Sequence, residues 1–233
     1  MHPTVKAARI AGAFYLSLVV AAPLRLIYIP GSLFVAGNAT ATVANIAAHE
    51  TLFRLGIAAD LFCGVVLIFL TLALYRLFKG VDQGLAVLMV IVGGVLPSAI
   101  DFFNVLNDAA ALILVRGADF LAVFDKPQRE SLAMFFLRLH HQEIVAAQVL
   151  WGLWLFPLAV LTIRSGFLPR FLGYWLIING SAYLALSFTG IFLPQYEQML
   201  SNITFPAVLG EMAFMLWLVI KGAKPQPLAA LAA

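Results

Sequence analysis

The sequence predicts an all-α, polytopic membrane helix bundle of six transmembrane helices, with both chain ends in the cytoplasm. Three observations predict it. The 233 residues are 63% hydrophobic and only 11% charged, with a mean hydropathy of +1.00, where a soluble domain carries about 25% charge. Six apolar stretches approach or exceed the span of about 20 helical residues that a hydrocarbon layer requires. The basic residues gather at alternate ends of those stretches, the asymmetry that sets orientation.

The whole chain, 1–233, reads as a single transmembrane domain with spans at about 7–29, 52–78, 84–115, 127–163, 170–193 and 203–220. The first is stopped by Pro30-Gly31. It follows Lys6 and Arg9 as a signal peptide would. However, it continues past Ala22 through Pro23 and Arg25 to Ile29, which makes it a span rather than a cleaved leader. The second ends at Lys79-Gly80. The third is long enough to tilt or kink, with Gly93, Gly94 and Pro97 as the kink points. The fourth has Asp125 as a cap, Pro127 in its first turn and Pro157 to bend its far end. Pro169 and Pro194 bound the fifth. The sixth carries Pro206 in its first turn and stops at Lys221-Gly222. Between Pro30 and Leu52 the chain is too polar to cross, and Thr42 to Glu50 reads as a short surface helix.

With six spans, Lys6, Arg9, Arg76, Lys79, Arg164, Arg170, Lys221 and Lys224 all fall on one side, which is assigned to the cytoplasm. On the other side, Arg116, Lys126 and Arg129 are offset by Asp119, Asp125 and Glu130. The net charge of +3 comes without a basic cluster interleaved with aromatics, so nucleic acid is not an expected partner. The lipid bilayer is. Cys63 is the single cysteine and reads as a small core residue. Tyr28, Tyr75 and Tyr174 near span ends fit an interfacial aromatic belt. Arg9-Ile-Ala-Gly12 opens the first span and Arg170-Phe-Leu-Gly173 the fifth, a hint of the internal repeats common in transporters.

Several segments together resemble the domain of unknown function 4386 family of bacterial membrane proteins. They are Ala8-Arg-Ile-Ala-Gly-Ala-Phe-Tyr-Leu16, Leu52-Phe-Arg-Leu-Gly-Ile-Ala-Ala-Asp-Leu61, Gly117-Ala-Asp-Phe-Leu-Ala-Val-Phe124, Arg164-Ser-Gly-Phe-Leu-Pro-Arg-Phe-Leu-Gly173 and Gly210-Glu-Met-Ala-Phe-Met-Leu-Trp-Leu218. The resemblance covers nearly the whole chain in the right order. It implies a multi-pass protein of the bacterial inner membrane and lends no activity. Leu139-His-His-Gln-Glu143 is more polar than the family pattern suggests there.

Ionisable groups at membrane depth are costly and mark interior or functional positions. Here they concentrate toward the outer halves of the spans: Arg25, Arg54 and Asp60, then Asp101, Asn104 and Asp108 on one helical face, then Arg138, His140, His141 and Glu143. Glu211 lies midway along the sixth span, where an arginine partner is one expectation, and Asn179 midway along the fifth. This distribution predicts a polar cavity open to the outer side above an apolar plug. Arg54, Asp60, Asp101, Asn104, Asp108, Arg138, His140, Glu143 and Glu211 are the candidate ligand-binding or cavity-lining residues. Arg25 is expected to snorkel to the interface, and Arg54 either to snorkel or to pair with Asp60.

No catalytic residue is assigned, since the chain lacks a Gly-x-Ser-x-Gly elbow. His140, His141 and Glu143 are metal-ligand candidates, with zinc as the type of ion, but they match no established ligand spacing. No cofactor is predicted. Three functions therefore stand. The first is binding or transport of a small polar or cationic solute, coupled to protons through an aspartate or a histidine. The second is a non-catalytic sensor or assembly partner. The third is a metal-dependent intramembrane lipid hydrolase.

Overall fold

A computed structural model describes residues 2–225. Every regular element among them is helical: α1 (Pro3–Pro23), a π-helical turn (Leu24–Tyr28), α2 (Ile29–Leu33), α3 (Ala39–Ala48), α4 (Glu50–Phe78), α5 (Gln83–Val90), a second π turn (Ile91–Val95), α6 (Leu96–Arg116), α7 (Lys126–Leu153), α8 (Leu155–Ser165), α9 (Arg170–Phe192) and α10 (Glu197–Ile220), with 3-10 turns at Asp119–Leu121 and Pro194–Tyr196. Continuous runs of these make six helices long and apolar enough to cross a membrane: Pro3–Leu33, Glu50–Phe78, Gln83–Arg116, Lys126–Ser165, Arg170–Phe192 and Pro194–Ile220. The chain is a multi-pass membrane protein. Its exposed apolar side chains, such as Val20 at 70% and Phe103 at 68%, suit a surface whose solvent is lipid.

Prolines and caps account for most of the irregularity. The first span does not stop at Pro30 but runs on to Leu33. Pro30 has no amide hydrogen and its ring crowds the carbonyl four residues back. The chain answers by widening beforehand: Ile29 donates to Leu24 O, five residues earlier. The third span repeats the device immediately before Pro97, where Leu96 donates to Ile91 O across Gly93 and Gly94. Pro157 ends the fourth helix's regular ladder, and α7 gives way to α8 at Trp154. Pro206 lies inside α10 rather than in its first turn. At the same position the indole N–H of Trp175 on α9 donates to Pro206 O at 3.3 Å and ties the two helices. Asp125 caps α7 reciprocally: it accepts from Gln128 N at 2.8 Å while Gln128 Oε1 accepts from Asp125 N at 2.9 Å, a capping box. The short surface helix is α3, which begins earlier than the expected Thr42 because Asn38 caps it through Ala41 N.

The chain divides into two compact units. One comprises Met1–Val19, Val65–Ser98 and Val145–Ala233; the other comprises Val20–Gly64 and Ala99–Ile144. Each of the first four spans thus gives one stretch to each unit, and the last two spans belong wholly to the first. The first unit has a large apolar core around Leu70, Leu74, Phe78, Leu155, Leu158 and Phe214. Within it α9 packs on both α8 and α10. Gly152 and Gly180 let two backbones meet: a Cβ on either would come within 2.8 Å of the other's carbonyl oxygen, so small residues fix this helix pair. The second unit has a smaller core around Ile29, Leu33, Ile46, Phe53 and Leu137, and it holds most of the ionisable side chains of the spans.

Candidate functional site

The second unit gathers one side chain from each of the first four spans. Arg25 comes from the π turn, Asp60 from α4, Asp108 from α6 and His140 from α7. Arg25 is 3% exposed, Asp108 1% and His140 5%. The guanidinium donates from Nε to Asp60 Oδ2 at 2.6 Å and from Nη2 to Asp108 Oδ2 at 2.5 Å. Nη2 also lies 2.6 Å from His140 Nε2. His140 Nδ1 faces Asp108 Oδ2 at 3.4 Å. An Nε2 that accepts from Arg25 leaves the ring proton on Nδ1, which lies 3.1 Å from the same Nη2 and 3.4 Å from Asp108 Oδ2.

Asparagines on α6 hold this group in place. Asn104 donates to the His140 backbone carbonyl at 3.2 Å. Asn107 donates to Asn104 Oδ1 and to Glu143 Oε2, both at 3.1 Å. The helical face expected to carry Asp101, Asn104 and Asp108 does turn inward, with Asn104 and Asp108 buried and Asp101 half-buried. Asp101 lies close enough to Asp60 and Glu143 for their charges to act on it.

Several sequence expectations are corrected. Arg25 does not snorkel. The helix continues to Leu33, so an interface lies about 12 Å further along at 1.5 Å per residue, and two carboxylates are nearer. Arg54 does not pair with Asp60, whose oxygen is taken by Arg25. Its side chain is 49% exposed and bonds Glu50 at 2.7 Å, one turn away. Arg138 and His141 are exposed on α7, where the helical step of about 100° per residue turns them away from His140. The ligand-type atoms that meet are those of Asp60, Asp108 and His140, all within 4.8 Å of one another, rather than His140, His141 and Glu143. Arg25 is the residue that sequence reasoning missed. Its signal was its place within an apolar run that outlasts Pro30.

Electrostatically the cluster is unbalanced. Two hydrogen-bonded carboxylates face one guanidinium and an imidazole that accepts from it. Asp108 Oδ1 is buried and makes no hydrogen bond. A buried group with net charge is expensive, and a buried acceptor without a donor adds to that cost. The arrangement suits the uptake of one further positive charge.

Glu211 stands elsewhere, in the first unit. In place of the expected arginine it has neutral partners: the hydroxyl of Tyr15 donates to Oε1, Asn179 donates to Oε2 at 3.4 Å, and Tyr183 adds a hydrogen bond.

No solved structure matches the chain. An uncharacterized protein of Archaeoglobus fulgidus is 35% identical over 79 residues, covering 33% of this chain and 44% of that protein. The chain thus spans less than half the length of that relative. A family model described as a domain of unknown function, DUF4386, matches residues 10–222. That match takes in all six spans and both polar clusters, and by it the chain belongs to the DUF4386 family.

Proposed function

We propose that this protein binds or carries a small polar or cationic solute across the bacterial inner membrane, coupled to a proton held at the Arg25–Asp60–Asp108–His140 cluster. The observation that carries the reading is the charge deficit there, beside the unpartnered Asp108 Oδ1. Both termini are then cytoplasmic, and the cluster lies toward the outer side. Asn104, Glu143 and Asp101 belong to the polar pathway. Arg54 and Arg138, being exposed, attract or repel solute at most from its periphery.

The coupling works through Asp108. A proton arriving on Oδ1, the oxygen without a hydrogen bond, neutralises the carboxylate and weakens its hold on Arg25 Nη2. Arg25 keeps Asp60, and one guanidinium then balances one carboxylate. Proton occupancy thereby loosens the link between the first and third spans, each of which carries a π turn. Such elements have two available arrangements, as carriers need.

The test uses proteoliposomes enclosing a pH-sensitive dye, challenged in turn with a panel of small amines, amino acids and alkali cations. At least one solute is expected to change internal pH with the wild-type protein and not with Asp108→Asn. Wild-type vesicles that match empty vesicles for the whole panel would sink the reading.

A second reading has one observation in its favour. Asp60, Asp108 and His140 form a carboxylate–carboxylate–imidazole set of the kind that holds divalent metals, as a metal-dependent lipid hydrolase would need. Against it, the guanidinium of Arg25 already lies on all three. Elemental analysis of untagged protein beside His140→Ala separates the two. Stoichiometric zinc lost in the variant would favour the hydrolase.

A further inference from the structure

Glu211 sits in α10 among neutral donors on two other helices: Tyr15 of α1, and Asn179 and Tyr183 of α9. The surroundings are closely packed. Tyr15 is 4% exposed, Asn179 0% and Phe214 0%. The Tyr15 ring lies against Trp154 at 6.1 Å and Phe214 at 6.4 Å between centroids. Gly210, next in the chain, meets Trp175 so closely that an added Cβ would lie 2.8 Å from the indole.

An ionised carboxylate here would carry a full charge at membrane depth with no cation among these partners. Three neutral donors offset that only in part. Glu211 and Tyr183 are half-buried, and a proton is the compensating charge that can sit directly on the carboxyl within this ring of donors. The partners are suited to that ligand. A tyrosine hydroxyl both donates and accepts. When the carboxylate takes up a proton, one hydroxyl turns from donor to acceptor by rotating about its C–O bond. The other tyrosine and Asn179 keep donating to the carboxyl. Neither state needs a backbone or rotamer change. An arginine or lysine partner would not allow this, because it can only donate.

We propose that Glu211, Tyr15, Tyr183 and Asn179 form a proton-binding site in which Glu211 is held as the neutral acid. It is separate from the cluster around Arg25 and does not depend on that reading. The chemistry is simple addition: the carboxylate and a proton give the acid, and release returns the proton to water with no other bond changed.

The test is infrared difference spectroscopy of the purified full-length protein in detergent at neutral pH, wild type against Glu211→Gln. The expected difference contains a carboxylic acid carbonyl band that shifts on exchange into heavy water. A difference containing only the paired carboxylate stretches would overturn the proposal. Should Glu211→Gln fail to fold, Tyr15→Phe serves instead. The acid band is then expected to move to higher frequency as it loses a hydrogen bond, and a spectrum in which only carboxylate bands move would count equally against it. Activity plays no part in this readout, so its outcome is independent of the transport assay.

Discussion

Two carboxylate sites lie in the spans of this protein, and they are stabilised in opposite ways. Asp60 and Asp108 in one unit are answered by charge, through Arg25 at 2.6 and 2.5 Å respectively. Glu211 in the other is answered by neutral hydrogen bonds from Tyr15, Asn179 and Tyr183. The difference predicts how each fails. An ion cluster that loses its cation keeps two uncompensated charges, and the penalty is their desolvation. A ring of neutral donors that loses one member sheds a single hydrogen bond and keeps the rest.

The largest expected effect is therefore at Arg25. Arg25→Met should cost about 3–5 kcal/mol, the range for removing one partner of a buried ion pair. It would read out as loss of the monodisperse peak in size-exclusion chromatography after mild heating. The comparison sharpens with a second change. Adding Asp108→Asn to Arg25→Met removes one stranded carboxylate, so the double variant should be more stable than Arg25→Met alone. If the two penalties simply add, the residues are not coupled, and the charge-cluster account is wrong.

Next comes Asn104, which ties α6 to the carbonyl of His140 at 3.2 Å. Asn104→Leu leaves that buried carbonyl without this donor and should cost about 1–3 kcal/mol. Thermal aggregation in detergent measures it. A loss as large as that of Arg25→Met would show that the asparagine, not the guanidinium, organises the cluster.

The contrast between the two sites was legible in the sequence only on one side. Hydropathy located all six spans, and the three- and four-residue spacings put Asn104 and Asp108 on one buried face. The cap at Asp125 and the helix irregularity around Gly93, Gly94 and Pro97 are readable because each rests on neighbours in sequence. What escaped was pairing between spans. Pro30 reads as a helix stop and so puts Arg25 near the interface, whereas the π turn at Leu24–Tyr28 carries the helix past it. Arg54 and Asp60 are close in the chain, yet they face different ways on α4, and proximity in sequence suggested a bond that a helix does not allow. Of the partners of Glu211, Asn179 stands out in the sequence as a polar residue midway along the fifth span, and the tyrosines carry no signal. Tyr15 and Tyr183 sit in apolar runs like any membrane aromatic, and only the fold reveals that both hydroxyls point to one carboxyl.

The neutral site gives a smaller effect, and its size is informative. Tyr15→Phe removes one hydrogen bond to Glu211. That bond is worth about 0.5–1.5 kcal/mol if the acceptor is a neutral acid, and about 1.5–3 kcal/mol if it is charged. Chemical unfolding in mixed micelles resolves the two ranges. A loss in the upper range would mean that the two sites differ less than their partners suggest.

The smallest effect is expected where an ion pair is exposed. Arg54 bonds Glu50 at 2.7 Å, shorter than many buried contacts, yet its side chain is 49% exposed. Distance alone would rank it with Arg25. Exposure decides otherwise, because water or headgroups solvate both partners when the bond breaks, and exposed pairs are worth about 0–1 kcal/mol. Glu50 also keeps Arg116 within 3.8 Å, so it is not left alone. Arg54→Gln should therefore leave the thermal midpoint nearly unchanged, and added salt should not alter that. A loss comparable to that of Arg25→Met would instead place Arg54 in the energetic centre of its unit, and the division between paired interior charge and solvated exposed charge would have to be redrawn.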